Sequence, residues 1–150
     1  MNKKGFTVIE LLATVLILSI LMVIALPMYT KALERSRAGS AVSTLAALAR
    51  AQARFRMQTG HYADDVSDFD IEFTDNATHA NATGDTFQDQ YFDFSMESDL
   101  DNPIATAVRR DVEDVYTLSV DYNLGNVFCA PASNYVCMYL GLPEPPEDDD

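Results

Sequence analysis

Residues 11–30 contain no charged residue, and most positions are Leu, Ile, Val, Ala or Met. As a helix, a run of this length and composition can cross a bilayer. One carboxylate, Glu10, stands at its head. An ionised acid inside lipid costs about 2.5–3.5 kcal/mol on insertion scales. Glu10 therefore either lies in the headgroup layer or marks a functional site and needs a partner. An ordinary cleaved signal peptide fits less well. The run is longer than a usual signal core, and a helical pattern continues straight past it.

At 150 residues the chain predicts one domain with an appendage. The formal net charge is −13, and the signs are separated along the sequence. Residues 31–58 carry Lys31, Arg35, Arg37, Arg50, Arg54 and Arg56 against Glu34 alone. Residues 59–150 carry Arg109 and Arg110 against twenty-one acids. The acidic domain repels phosphate, which argues against nucleic acid as a specific partner. The six helix bases are expected to meet acids of the same or neighbouring copies of the chain. Lysines and arginines flank the apolar run on both sides, so charge counting does not settle the topology.

The spacing predicts one long helix over residues 6–57, about 80 Å at 1.5 Å per residue. Its first half is apolar all round. Pro27 removes a backbone donor and is expected to bend or loosen the helix there. In the second half, Ala38, Ala41, Val42, Leu45, Leu48, Ala49, Gln52 and Phe55 share one face. Ser36, Ser40, Ser43, Ala47, Arg50 and Arg54 share the opposite one. The first stripe is expected to pack on a sheet. Gly60 is the predicted stop.

Residues 61–90 read as a surface connection, with Val66, Phe69, Ile71 and Phe73 anchored on the domain and 76–90 an exposed loop. Asn76-Ala77-Thr78 and Asn81-Ala82-Thr83 match the glycosylation sequon, a short pattern that often occurs by chance. Strands are predicted at 91–96, 104–109, 115–122 and 127–129, with a turn at 123–126. A short helix or turn follows near 134–140, and 144–150 is an acidic, solvated tail. Three or four antiparallel strands on an amphipathic helix make an α+β layer architecture.

No catalytic motif emerges, and no two carboxylates are paired by spacing as acid and base. His61 reads as a surface or hydrogen-bonded residue rather than a base. Cys129 and Cys137 fit a small disulfide loop in an exported protein, or a reduced buried pair. Zinc would need more ligands than the distant His61 and His79 provide. The clusters at 64–65, 99–102 and 111–114 offer oxygen atoms to calcium, but none has the EF-hand pattern and solvated faces explain them as well. No metal or other cofactor is expected. Tyr116, Tyr122, Phe128, Tyr135 and Tyr139 read mainly as core, with a ligand groove as the other reading.

The segment Lys3-Lys4-Gly5-Phe6-Thr7-Val8-Ile9-Glu10-Leu11-Leu12 resembles the leader and N-terminal segment of type IV pilins and pseudopilins. The likeness continues through Pro27-Met28-Tyr29-Thr30-Lys31 and Glu34-Arg35-Ser36-Arg37 and covers about the first third of the chain. Val8 stands where Leu is commoner, and Ala13-Thr14 replaces a more usual pair of valines. Neither change alters the charge pattern. The resemblance implies a leader at 1–5, a membrane or filament-core helix at 6–30, its amphipathic continuation at 31–58 and a globular β-rich domain at 59–150. It implies cleavage between Gly5 and Phe6 by a membrane prepilin peptidase and methylation of the new Phe6 amine. The precursor would sit in the inner membrane, a single-pass protein with its domain in the periplasm. Inner-membrane machinery would draw identical or related subunits into a pilus, or into the short periplasmic filament of a type II secretion system. Glu10 would meet the Phe6 amine of a neighbour and set the axial register. A membrane-tethered periplasmic binding or enzymatic domain that never polymerises is the more distant reading.

Overall fold

The computed structural model describes residues 6–98 and 103–146. Helix α1 (Val8–Thr59) occupies 52 residues. It stops where Gly60 takes a left-handed conformation (φ 87°) that a side chain would strain. A 3-10 turn (Val66–Asp68) follows, then β1 (Thr74–Asp75), β2 (Ala80–Asn81), β3 (Thr86–Gln88), β4 (Phe92–Glu97), β5 (Ile104–Arg109), β6 (Thr117–Asp121), β7 (Val127–Ala130) and α2 (Tyr135–Leu140). The chain forms two compact units, residues 1–36 and 37–150, and α1 runs through the boundary between them.

The second unit is an α+β structure. Strands β3 to β7 form one five-stranded antiparallel sheet in sequence order, and β1 and β2 form a separate two-stranded ribbon. The alternation of the strands decides what the sheet buries. Phe92, Phe94 and Met96 of β4 face inward, while Asp93 and Ser95 lie on the other side. Register then sets large residues beside small ones. Phe94 lies opposite Ala107, Ala107 opposite Leu118, and Leu118 opposite Cys129. The two alanines of β5 leave room for the helix stripe. Ala38, Ala41, Leu45, Leu48 and Ala49 share one hydrophobic cluster with these sheet residues. The predicted core stripe is thus the buried one. Ser36, Ser40, Ser43 and Arg50 of the opposite face are exposed.

Polar stitches hold the connection to the helix. The buried Gln52 amide donates to the Ala63 carbonyl (2.8 Å) and accepts from the Ala63 N–H (2.9 Å). Such a reciprocal pair satisfies a buried side chain that otherwise costs free energy. Arg54 forks onto the Asp70 carboxylate at 2.8 and 2.5 Å.

Three expectations need correction. Residues 76–90 are not simply an exposed loop: they contain β2 and β3, and Phe87 is buried. Its ring stacks on Phe94 with centroids 4.8 Å apart and planes 5° apart. A single apolar residue in a polar stretch carries no periodicity, so only the partner strand makes it a strand residue. The sheet accordingly has five strands, where the sequence predicted three or four. The predicted strand at 115–122 is shorter, Thr117–Asp121.

Candidate processing and assembly site

The site lies where the charged start of the chain meets the apolar helix. Thr7 immediately precedes α1, and its carbonyl accepts the first helical bond from the Leu11 N–H (3.2 Å). The Glu10 N–H donates to the Thr7 hydroxyl oxygen (3.3 Å). In return, Glu10 Oε2 accepts from the Thr7 N–H (2.9 Å) and the Thr7 hydroxyl (2.7 Å). This reciprocal arrangement is a capping box, which satisfies donors that have no partner inside the helix. A carboxylate in the first turn also complements the positive end of the helix dipole. Glu10 is therefore held beside the backbone of Thr7, one residue from Phe6. Phe6 is 81% exposed, and Gly5 lies outside the described residues.

Thr7 is the residue that reading for charge and hydropathy missed. Its signal was present: Thr followed three residues later by Glu, just ahead of an apolar run.

Beyond Glu10, the large apolar side chains between residues 11 and 29 are all exposed. Helix α1 contains a stretch long and apolar enough to cross a membrane. The hydroxyls in this stretch turn inward on the helix itself. Thr14 donates to the Leu11 carbonyl (2.8 Å), Ser19 to Leu16 (2.7 Å) and Thr30 to Pro27 (3.1 Å). The helix continues through Pro27 without interruption. The proline still lacks the N–H that would bond the Val23 carbonyl, so this turn is short of one backbone bond.

At the other end of the sequence, Cys129 of β7 and Cys137 of α2 are joined by a disulfide, with Cα atoms 5.4 Å apart. Both are buried. The bridge fastens α2 to the last strand. Asn134 caps that helix by accepting from the Val136 N–H (2.9 Å), and Gly141 ends it.

Among the described residues, no group of three or more His, Cys, Asp or Glu side chains is placed to hold a metal ion. The acidic cluster at 99–102 lies outside those residues. His61 is exposed and packs edge-on against Phe55, with ring centroids 5.6 Å apart. Of the aromatic set, Tyr116 and Tyr122 are buried, Phe128 and Tyr135 are half-buried, and Tyr139 is exposed. The two sequons fall on the small ribbon and its turn. The Thr78 hydroxyl of the first donates to Asp75 (2.8 Å). The Gln88 N–H and the Thr78 hydroxyl together hold the Asp75 carboxyl below its usual range.

Residues 1–26 match the family model of the prokaryotic N-terminal methylation motif. No curated protein and no solved structure matches the chain. The motif and the α+β fold point to a structural, non-enzymatic protein. The capped carboxylate, the exposed apolar helix and the matched motif occupy the same residues, and together they identify the leader signature of type IV pilins and pseudopilins at the head of this chain.

Proposed function

We propose that this chain is the precursor of a subunit of a type IV pilus-like filament. A membrane prepilin peptidase cuts between Gly5 and Phe6, and the new Phe6 amine is methylated. Before assembly, residues 6–30 hold the subunit in the inner membrane, with residues 31–150 on the periplasmic side. Assembly machinery then draws the subunit out, and the apolar helices bundle in a filament core.

The observation that carries this reading is the position of Glu10. It is the only acid in a stretch otherwise suited to lipid, and its carboxylate is held at the very start of the helix. Cleavage creates a cation at Phe6, four positions away. One Glu10 oxygen accepts both bonds from Thr7, and an ionised carboxylate has further acceptor sites on its second oxygen. In a staggered bundle, that oxygen meets the Phe6 amine of a neighbouring subunit. Two charges that are costly in apolar surroundings then neutralise each other. Such a pair fixes axial register more than it adds cohesion. Apolar packing along the helices supplies the cohesion. The missing backbone bond at Pro27 gives the helix a place to extend as it leaves the membrane.

Replacing Glu10 with Val tests the register role. Electron microscopy of the host is expected to show few filaments or a changed subunit stagger. Normal yield with normal stagger would reject the role. The motif is common to pilins and to the pseudopilins of type II secretion systems. A deletion that abolishes secretion and leaves surface pili intact would move the assignment to the latter.

A further inference from the structure

Among the described residues of the unit 37–150, Arg50 and Arg56 have no acid as partner. Arg54 has Asp70, and Arg110 lies 3.3 Å from Asp93. Arg50 is exposed and makes no hydrogen bond or ion pair among the described residues. Among the described residues, Arg56 donates only to neutral groups, the Tyr62 hydroxyl (2.6 Å) and the Asn123 side-chain oxygen (2.9 Å), and its guanidinium lies 4.7 Å from the Tyr62 ring centroid. Such cations in so acidic a chain are unusual, because the field of the whole domain favours pairing them.

Both arginines border open ground. Arg50 lines a groove between α1 and the β6–β7 turn, together with Ala46, Ala49, Leu124 and Gly125. Arg56 lines an adjoining groove with Met57 and Tyr62. The two grooves share Ala53, Tyr122 and Asn123, so they form one trough with a cation at each end. Three alanines keep the floor low, and Leu124 is 69% exposed at the rim.

The complementary charge is in the chain itself. Residues 144–150 read Glu-Pro-Pro-Glu-Asp-Asp-Asp, five acids in seven positions. The two prolines favour an extended, stiff conformation that lies easily in a trough. The same copy's tail starts in the wrong direction. The Pro143 carbonyl accepts from the Cys129 N–H (2.9 Å), and Glu144 accepts from the Ala132 N–H (3.2 Å). The chain therefore advances alongside the segment 129–132, away from the β6–β7 turn.

We propose that the trough between Arg50 and Arg56 docks the acidic segment 144–150 of a second copy of this chain. The contact rests on the filament reading for its supply of aligned neighbours. It adds a second, solvent-side link between subunits, and one that weakens with salt because Arg50 and Arg56 are exposed.

The test uses two tagged copies of the full chain expressed together in the host. One carries Arg50→Lys together with Glu144→Gln, Glu147→Gln, Asp148→Asn, Asp149→Asn and Asp150→Asn. The other keeps Arg50 and an intact tail. A carbodiimide joins a lysine amine to a carboxylate in direct contact. Mass spectrometry is expected to find the amine introduced at position 50 of the first copy linked to a tail acid of the second. The link is expected to disappear when both copies carry the neutralised tail. Filaments without this link would overturn the docking contact and leave the filament reading standing. The link in cells that make no filaments would do the reverse. If an Arg50→Lys chain with its own intact tail yields only links within one chain, the second copy is not the occupant.

Discussion

Between residues 11 and 29, α1 shows its apolar side chains on every side. Between residues 38 and 52 it buries Ala38, Ala41, Leu45, Leu48, Ala49, Ala51 and Gln52, and leaves Ser40, Ser43 and Arg50 in solvent. Both halves belong to one continuous helix. What differs is who covers the apolar surface. The second half carries its own cover, a five-stranded sheet encoded in the same chain. The first half has no such cover within the described residues, and its apolar area stays exposed to whatever surrounds it. An apolar patch of that extent means a membrane or other protein. One helix thus combines a half covered by its own chain with a half whose apolar surface is uncovered among the described residues.

The comparison can be broken at several points. The largest effect is expected at the leader. Gly5→Val should block processing, so that N-terminal sequencing no longer finds a chain beginning at Phe6. Recovery of that mature terminus from the variant would contradict the cleavage site.

Next come paired truncations in the two halves. Leu45→Ala removes a fully buried side chain and should lower the stability of the domain by about 2–5 kcal/mol. Leu18→Ala removes an exposed one and should leave domain unfolding within about 0.5 kcal/mol of the parent. Denaturant unfolding of the full chain in a mild detergent reads both. Equal losses would mean that the halves are not energetically distinct.

The disulfide belongs wholly to the second half's domain. Replacing Cys129 and Cys137 with Ser opens a short loop and should cost about 2.5 kcal/mol. Filament formation through the first half should survive if the domain stays folded at growth temperature.

How much of this was legible in the residues follows the same division. The long helix, its buried stripe and the strands at 92–97 and 104–109 rest on repeated patterns over many residues, and repetition is what a sequence displays. Strand β3 rests on one residue, Phe87, and on where Phe94 happens to lie. The ribbon of β1 and β2 has two residues on each side, and the Asp75 carboxylate ties it to β3 by accepting from the Gln88 N–H at 2.9 Å. Neither feature repeats, so neither shows in a window of sequence. At the candidate site, Phe6 and Glu10 stood out by charge and position. Thr7 did not, because a polar residue at a helix start looks ordinary until its bonds to Glu10 are seen. The trough between Arg50 and Arg56 needed the fold, since it depends on which arginines found acids and which did not.

The smallest effect is expected at the exposed pair of Arg54 and Asp70. Arg54 holds the Asp70 carboxyl below its usual range. A carboxyl whose folded value is depressed contributes stability above its unfolded value, about pH 4, and loses it as the pH falls through the folded value. Asp70→Asn should therefore remove a small part of the acid-sensitive stability, and salt should shrink the difference. Unfolding curves at pH 3 and pH 6 compare the two proteins. A variant that loses more stability at pH 3 than at pH 6 would reverse the sign.

The central claim is that an acid at the head of an apolar rod pairs with an amine released at Phe6 of the next rod. The most direct measurement takes native protein from its host, determines the terminal residue by mass spectrometry and images the same sample. The account predicts chains that begin with methylated Phe6 and lie in filaments. Chains that keep residues 1–5 and occur only as single molecules in detergent would contradict it.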